Sequence, residues 1–328
     1  MLPWPRRTRV RRATPAAVQE AATVLRRGGL VAFPTETVYG LGARAFDAAA
    51  ARRIYRAKGR PSDNPLIVHV DGPEMLARVV RRTTPLARRL MAAFWPGPLT
   101  LVLERSARVP DAVTGGRETV AVRCPAHAAA RALIRALGEP IAAPSANLSG
   151  RPSPTTAAHV LRDLDGRVAL ILDGGPCRRG LESAIIDARG RRPVLLRPGT
   201  LTPAAIARAA GASIAAPGRR APAAPGTRHR HYAPTCRIEL VAPALVRRGA
   251  VAGLSARASG LLHRSRWNGP SPAFRRRVAG GLDAYARALF AALRDAEKRR
   301  VRVLFVESVP DRGVGRAVMD RLRRAAAG

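Results

Sequence analysis

The sequence has almost no lysine and few acidic residues. Lys58 and Lys298 are its only lysines, and 58 basic residues stand against 22 acidic ones, giving a formal net charge of +36. A field of this sign attracts polyanions such as nucleic acids and nucleotides. Arginine is spread through every segment, so a genome-wide compositional bias explains the charge as well as a dedicated RNA-binding surface does. Both interpretations stay open.

Cysteines are scarce, and long apolar runs are missing. Cys124, Cys177 and Cys236 are odd in number, widely spaced and never form a CxxC pair. We therefore expect reduced thiols in a cytoplasmic protein, and neither a disulfide framework nor a zinc ribbon. No run approaches membrane-spanning length. No continuous apolar stretch follows the basic start MLPWPRRTRVRR, so we predict no membrane association and no secretory signal.

One cluster raises the question of a metal site. His229, His231 and Cys236 lie close together in the sequence, and imidazole and thiolate groups are zinc ligands. No second cysteine or carboxylate completes a tetrahedral set. A basic segment that contains histidines is therefore the favoured interpretation.

Common catalytic signatures are also missing. The sequence contains no GxxxxGK phosphate loop, no GxSxG elbow and no HExxH, which removes the best-known nucleotide, hydrolase and metalloprotease motifs. GLGARA at 40–45 fits the dinucleotide pattern GxGxxA. In a true fingerprint the glycines directly follow a strand, whereas here PTETVY follows the apolar run LVAF, so we reject nicotinamide binding.

The patterns that are present predict an α/β protein of two domains. The chain of 328 residues with 47% hydrophobic content can bury a sizeable core. Thr14, Asp47 and Thr84 are predicted helix caps, and a long helical pattern runs from about Val278 to Arg300. Short β-rich runs such as PLIVHV and TVAVR alternate with the helices, as in sheet domains.

Domain boundaries follow from a change in composition. From about Ala212 to Thr235 the chain is rich in Ala, Pro, Gly and Arg without periodicity, which is typical of a linker or an ordered crossing segment. We predict a catalytic domain over 1–211, a linker or lid over 212–235, and a smaller α/β domain over 236–328.

Polar loops adjoin the predicted strands at six places. They are PTETVYG (34–40), KGRPSDNP (58–65), TVAVR (119–123), APSANLSGRPSPT (143–155), LESAIID (181–187) and LLRPG (195–199). Strand alternation puts Thr119, Ala121 and Arg123 on one face. Each loop alone has a structural interpretation: His69 as a satisfied core histidine, or Ser153 as an exposed hydroxyl. Six together predict a binding site.

These motifs closely resemble the YrdC-like domain of the L-threonylcarbamoyladenylate synthase family. The resemblance includes FPTETVYGLGARAFD and continues through APGTRHRHYAP and PDRGVGRAVMDRLRRAA, as in the long, two-domain form of that family. It implies a twisted mixed-sheet domain with a basic substrate cleft. It also implies a smaller, Rossmann-like α/β domain at the C-terminal end.

The resemblance also implies a reaction and its participants. L-threonine, bicarbonate and ATP would give threonylcarbamoyl-AMP and pyrophosphate, and the adenylate would serve threonylcarbamoyladenosine modification of tRNA. Mg²⁺ is expected with ATP, held mainly by the phosphates, and we name no protein metal ligand and no organic cofactor. Other expected partners are tRNA and the threonylcarbamoyl transferase machinery.

Site residues are carried over motif by motif. The family pattern places four residues around L-threonine: Thr37, His69, Arg123 and Ser183. It places nine around ATP: Lys58, Arg60, Asn64, Thr119, Ser145, Asn147, Ser153, Arg197 and Tyr232. No side chain is assigned as an acid or base, because carboxylated threonine supplies its own nucleophilic oxygen. Positioning and charge neutralisation, above all by Lys58 and Arg60, would suffice.

The sequence departs from the family pattern at three positions. Ala184 stands where the family usually has Thr, Ala224 where it has Ser, and His229 where Tyr is frequent.

Two rival functions are compared with this family. A double-stranded RNA or ribosome-associated binding protein would also explain the charge, but phosphate-backbone binding does not need loops rich in hydroxyl and amide groups. The carbamoyl-adenylate chemistry of hydrogenase maturation expects zinc-finger cysteines and an acylphosphatase-like segment, which the sequence does not show.

Overall fold

The computed structural model describes residues 5, 7–218, 221–222, 224–225 and 231–327. Its helices are Pro15–Arg26 (α1), Ala48–Lys58 (α2), Pro73–Ala77 (α3), Pro85–Phe94 (α4), Asp111–Thr114 (α5), Ala128–Leu137 (α6), Ala157–Leu164 (α7), Pro203–Ala210 (α8), Pro243–Arg248 (α9), Leu282–Lys298 (α10) and Val314–Ala326 (α11).

The strands fall into two sheets. The first contains Arg9–Arg12 (β1), Val31–Phe33 (β2), Gly40–Arg44 (β3), Ile67–His69 (β4), Leu99–Glu104 (β5), Thr119–Arg123 (β6), Ile141–Ala143 (β7), Leu170–Asp173 (β8), Ala184–Asp187 (β9) and Val194–Arg197 (β10). The second contains Arg237–Val241 (β11), Ser259–His263 (β12), Phe274–Arg277 (β13) and Val303–Glu307 (β14).

Local sequence signals set the helix starts. The side chains of Thr14, Asp47 and Thr84 each accept a hydrogen bond from a backbone N–H in the first turn of α1, α2 and α4, which confirms the three predicted caps. The long C-terminal helix begins at Leu282 and not at Val278. Val278 extends the strand β13 by donating to the His263 carbonyl, and Gly280 has a φ of 94°, which interrupts a helix.

The larger sheet has ten strands in the order β1-β8-β2-β3-β7-β4-β6-β5-β9-β10 and mixes parallel with antiparallel pairs. Helices α2, α4, α7 and α8 bury one face in the main core, where Val68 and Val122 point. Helices α1 and α6 cover part of the other face, against Phe33 and Leu172. The rest of that second face carries Ile67 and Ala121, and there the strands hold the polar side chains described below.

The smaller sheet is parallel, with four strands in the order β11-β14-β12-β13. Its main core lies under α10 and α11. Val38 and Leu181 from loops of the first sheet, and Tyr232, belong to the same apolar cluster. The two sheet units are therefore joined through loops that adjoin the predicted site.

These observations confirm the predicted fold class: a mixed-sheet α/β unit and a smaller parallel α/β unit. The first five residues of the rejected dinucleotide motif form strand β3, which is paired on both sides. Cys124, Cys177 and Cys236 are buried free thiols. Among the residues that the structure describes, no helix has both the length and the apolar character needed to cross a membrane.

Candidate active site

A small cavity of about 50 Å³ lies where the second face of the larger sheet meets the linker. Both the sheet unit and the linker contribute to its walls. It is lined by Thr35, Thr37, Val38, Tyr39, Gly40, Arg60, Ile67, His69, Arg123, Ala143, Pro144, Ser145, Glu182, Ser183, Arg197, Pro225, His231 and Tyr232. All four residues assigned to L-threonine are in this set.

Arg123 is fixed by contacts on all three guanidinium nitrogens. It ends strand β6 beside His69 of β4, its partner in the parallel register. Its Nη1 donates to Thr37 Oγ1 at 2.9 Å, and its Nε donates to the Gly97 carbonyl at 3.2 Å. Its Nη2 lies 2.6 Å from a carboxylate oxygen of Glu36. The predicted alternation of TVAVR thus delivers a buried, oriented cation to the cavity.

His69 offers a neutral imidazole. Its ring meets Phe33 edge-on, with 5.8 Å between centroids, and its Nδ1 is buried without a hydrogen-bond partner among the described residues. Burial, reinforced by the charge of Arg123, lowers the pKa of His69 to about 3. An uncharged ring with an unsatisfied buried nitrogen is the kind of group that a substrate hydroxyl satisfies.

Hydroxyl groups complete this part of the cavity. Thr37 is fully buried, and its Oγ1 lies 2.8 Å from the Thr35 hydroxyl. The Ser183 hydroxyl lies 2.7 Å from that of Thr100, on strand β5. These contacts fix the positions of both hydroxyls before any ligand binds.

Arg60 and Arg197 bring two more guanidinium groups to the cavity. Arg60 donates from Nε to the Asn64 carbonyl at 3.2 Å and from Nη2 to the Pro65 carbonyl at 3.0 Å. Arg197 donates from Nε and Nη2 to the Ser183 carbonyl and from Nη1 to the Pro225 carbonyl. Burial lowers the pKa of Arg60 to about 10, so its guanidinium is still charged at neutral pH.

Lys58 lies outside the cavity lining and braces a neighbouring loop. Its Nζ donates to the Ser145 carbonyl at 2.6 Å and to the Asn147 carbonyl. Burial, followed by the charge of Arg60, lowers the pKa of Lys58 well below its usual value. Asn147 in turn donates from Nδ2 to the Leu148 and Arg151 carbonyls. Lys58 and Asn147 therefore shape the loop that presents Ser145.

Three further residues assigned to ATP also lie outside the cavity lining. Thr119 is half-buried at the start of β6. Asn64 is buried, with its Nδ2 3.4 Å from His231 Nε2. Ser153 is buried and donates its hydroxyl to Glu182, which does line the cavity.

Three residues of the predicted linker, Pro225, His231 and Tyr232, form part of the cavity wall. Tyr232 is buried in a left-handed conformation, with a φ of 68°, and stacks on Phe290 of α10 at 5.4 Å. Burial, followed by the charge of Arg60, lowers the pKa of His231 to about 3. Arg228, His229 and Arg230 lie outside the described residues. Within the described part of the chain, no cluster of His, Cys, Asp and Glu could hold a metal ion.

Sequence reasoning missed the partners that orient the site. Glu36 contacts Arg123, Glu182 contacts Ser153, and His231 lies beside Asn64. The first two stand inside the quoted motifs PTETVYG and LESAIID. A carboxylate in a loop otherwise composed of hydroxyls was the available signal, because a buried carboxylate needs a cation or a donor.

Comparison with known proteins adds independent findings. Residues 23–199 match the family model described as Telomere recombination, and residues 201–327 match the one described as Threonylcarbamoyl-AMP synthase, C-terminal domain. The threonylcarbamoyl-AMP synthase of Pyrococcus abyssi is 44% identical, over 94% of this chain and 93% of the relative. That of Bacillus subtilis is 44% identical, over 95% of this chain and 93% of the relative.

A solved structure agrees over nearly the whole length. The crystal structure of Pyrococcus abyssi Sua5 complexed with L-threonine superposes with a TM-score of 0.87 and 41% sequence identity. The match covers 98% of this chain and 97% of that chain. Both sheet units and the segment between them thus have counterparts in one solved protein.

Proposed function

The chain belongs to the two-domain threonylcarbamoyl-AMP synthase family, and from this premise we propose the substrates and mechanism of its reaction. It is a transferase that makes an AMP-linked product from ATP. We propose that L-threonine, bicarbonate and ATP give threonylcarbamoyl-AMP and pyrophosphate. The observation that carries the proposal is the cavity in which Thr37, His69, Arg123 and Ser183 meet.

L-threonine would bind on the sheet side of the cavity. Three guanidinium groups, those of Arg123, Arg60 and Arg197, line the cavity and attract the carboxylate. The His69 Nδ1 and the Thr37 hydroxyl can recognise the small polar side chain. The solved relative that holds L-threonine supports this choice of substrate.

The chemical step needs orientation more than an acid or a base. The amine of threonine forms a C–N bond with the carbon of bicarbonate, one C–O bond of bicarbonate breaks, and water is lost. An oxygen of the resulting carbamate attacks the α-phosphorus of ATP. The new oxygen–phosphorus bond forms as the bond between the α- and β-phosphates breaks, and pyrophosphate leaves with the electron pair. Arg60 and Arg197 are placed to stabilise the negative charge that develops on the phosphate oxygens.

The cavity residues fit a magnesium ion that arrives with the nucleotide. The one carboxylate among the described lining residues, Glu182, is already in contact with Arg321, and the adjacent Glu36 is in contact with Arg123. A set of oxygen ligands from the described residues is therefore not ready to hold the ion. Mg²⁺ characteristically binds substrate phosphates with few protein ligands. When bound to ATP it would neutralise phosphate charge.

We propose that the linker acts as a lid. The cavity of about 50 Å³ is far smaller than the roughly 300–1,000 Å³ of pockets for drug-sized ligands, and Pro225, His231 and Tyr232 form one wall of it. Entry of ATP would then require this wall to move. Reclosure would exclude water and protect a hydrolysable product.

The wider setting of the reaction is also part of the proposal. The adenylate is consumed in threonylcarbamoyladenosine modification of tRNA, so a transferase must receive it, and the cytoplasm is the compartment where ATP and tRNA meet. Direct RNA binding by the basic surface is a separate prediction, since the hydroxyl-lined cavity does not require it.

Pyrophosphate release tests the proposed function. The purified protein, ATP, Mg²⁺ and bicarbonate are assayed with L-threonine, with L-serine, with L-valine and without an amino acid. We expect turnover to depend on threonine and to reject valine more strongly than serine, because a missing hydroxyl leaves buried polar groups unpaired. Threonine-independent turnover, or none from folded protein, would refute the assignment.

A further inference from the structure

Arg321, on helix α11 of the C-terminal unit, is buried although it carries a charge. Its side chain is 0% exposed. Burial of a charge is costly unless the group is paired and hydrogen-bonded. Arg321 meets this requirement with Asp320, from which its Nη1 lies 2.6 Å, and with two groups of the first sheet unit.

Both of those groups belong to loops of the cavity. The Nε of Arg321 donates to Glu182 at 2.9 Å, and its Nη2 donates to the Pro198 carbonyl at 3.0 Å. Glu182 accepts the hydroxyl hydrogen of Ser153 on its other oxygen. Pro198 directly follows Arg197, whose guanidinium lines the cavity.

A third contact reaches the linker. The guanidinium carbon of Arg321 lies 5.3 Å from the centroid of the Tyr232 ring, within the range of a cation–π interaction. One side chain thus contacts, directly or through Glu182, the segments that carry Ser153, Arg197 and Tyr232. These are three of the residues assigned to ATP.

A purely stabilising role does not account for this arrangement. Helix α11 already buries Val318, Met319 and Leu322 in the C-terminal core. A buried ion pair often contributes no more stability than apolar side chains of similar volume. What the guanidinium supplies, and a methionine would not, is a fixed geometry among three loops.

We propose that Arg321 is a positioning residue for ATP, by which the C-terminal unit holds the ATP-side loops and the linker in register with the cavity. This inference rests on the proposed function and extends it, since it gives the C-terminal unit a part in nucleotide binding. Of the residues assigned to L-threonine, Ser183 adjoins this network through Glu182 and Arg197. Thr37 and Arg123 are held by contacts that do not involve Arg321, so we expect the main effect of Arg321 on the ATP side.

The test compares Arg321→Met with a matched control, Arg323→Met. Arg323 lies on the same helix, is 57% exposed and pairs with Asp311. We expect Arg321→Met to raise the KM for ATP about tenfold, the effect of about 1.4 kcal/mol. Threonine affinity, measured by calorimetry, should stay near the parent value. In the control variant, the KM for ATP and the affinity for threonine should stay within about threefold of the parent values, because exposed ion pairs contribute little.

A double variant separates positioning from stability. Arg321→Met leaves the Glu182 carboxylate buried without its cation, and Glu182→Gln removes that charge. The double variant should recover thermal stability while the KM for ATP stays high, because the contacts with Pro198 and Tyr232 are still lost. If Arg321→Met fails to fold, the double variant decides the question.

The inference is wrong if ATP KM recovers together with stability, or if Arg321→Met lowers only the amount of active enzyme. Such a result, in a parent protein with threonine-dependent pyrophosphate release, would leave the proposed function intact. A folded parent without that release would refute the function itself. The two failures are therefore distinguishable.

Discussion

The two halves of the candidate site differ in what holds them. The sheet-borne half consists of Thr37, His69, Arg123 and Ser183, which lie on or beside paired strands. The loop-borne half consists of Arg60, Asn64, Ser145, Ser153 and Tyr232, together with Arg197 at the end of the edge strand β10. In the first half Arg123 contacts Thr37, Ser183 contacts Thr100 of strand β5, and His69 packs against Phe33 of strand β2. In the second half, Arg60 and Arg197 are held by backbone carbonyls of neighbouring loops.

This difference suggests an order of events. A pocket built from strands and hydroxyl pairs has its shape before a ligand arrives, so L-threonine should find a preformed site. The loop-borne half is completed by the linker and, through Arg321, by the C-terminal unit. Substitutions in the sheet-borne half should therefore damage threonine binding, whereas those in the loop-borne half should damage ATP use.

The largest effect is expected at Arg123. Arg123→Lys keeps a charge beside Glu36 but cannot maintain contacts with Thr37 and Gly97 at the same time. We expect threonine-dependent turnover to fall about a hundredfold, the effect of about 3 kcal/mol at a buried, hydrogen-bonded charge. Steady-state kinetics and threonine calorimetry measure it.

The control for Arg123 is Arg131→Lys, on helix α6. Arg131 also pairs with a carboxylate, that of Asp71, but is partly exposed. It should behave like the parent protein. Equal loss in the two variants would mean that Arg123 acts only through stability and not through the threonine pocket.

A smaller and different effect is expected at Arg60. Arg60→Lys removes the planar fork that reaches the Asn64 and Pro65 carbonyls. We expect the KM for ATP to rise about tenfold, the effect of about 1.4 kcal/mol, with threonine affinity unchanged. The exposed Arg52, on helix α2, provides the control Arg52→Lys. A loss of threonine affinity in Arg60→Lys would contradict the division into halves.

The linker gives a still smaller effect. Tyr232→Ala removes ring packing against Phe290, which is worth about 1 kcal/mol, and should lower activity severalfold without loosening the larger sheet. In the parent, ATP plus threonine should slow trypsin cleavage after Arg228 and Arg230. If cleavage kept the same rate with ligands and the tyrosine variant matched the parent, the segment would be only a tether.

Acid sensitivity affects stability and not activity, and it compares one histidine from each side of the cavity. The pKa values of His69 and His231 are lowered to about 3 by burial, against about 6.5 in an unfolded chain. The unfolded state therefore binds the extra proton between these values, and stability is lost as the pH falls below about 6.5. Each group can contribute up to about 1.4 kcal/mol per pH unit.

The two histidines should differ in how they respond. His69 lies on a central strand of the larger sheet, so we expect its protonation to need a larger structural change than that of His231. His231 can be protonated when the linker alone lifts. In urea unfolding at pH 7.5 and pH 5, we expect His69→Asn to flatten the pH dependence more than His231→Asn does. If His231→Asn flattened the pH dependence more than His69→Asn, the strand that carries His69 would be the more mobile of the two segments.

Local patterns in the sequence predicted much of the fold. The caps Thr14, Asp47 and Thr84 depend on a few adjacent residues, and the alternation of TVAVR depends on one strand, so both could be read directly. The strand β13 was missed because its sequence, FRRR, carries no alternation of apolar and polar residues, and its pairing with β12 joins it to a separate segment of the chain. Helix α10 starts late for a similar reason.

The candidate site was predicted less completely than the fold. Thr37, His69, Arg123 and Ser183 were assigned through the family resemblance, and all four line one cavity. Lys58 donates hydrogen bonds to backbone carbonyls 87 and 89 residues away, and Arg321 donates one to Glu182. Both interactions depend on contacts between distant segments of the chain. A single sequence carries no pattern that reports such pairings.

The most direct test of the central claim follows the carbon atom of bicarbonate. The protein is incubated with ¹³C-bicarbonate, L-threonine, ATP and Mg²⁺, and the products are analysed at once by mass spectrometry. We expect labelled threonylcarbamoyl-AMP, with one pyrophosphate formed for each labelled product. Formation of AMP and pyrophosphate without labelled carbon in an adduct of threonine and AMP would contradict the account.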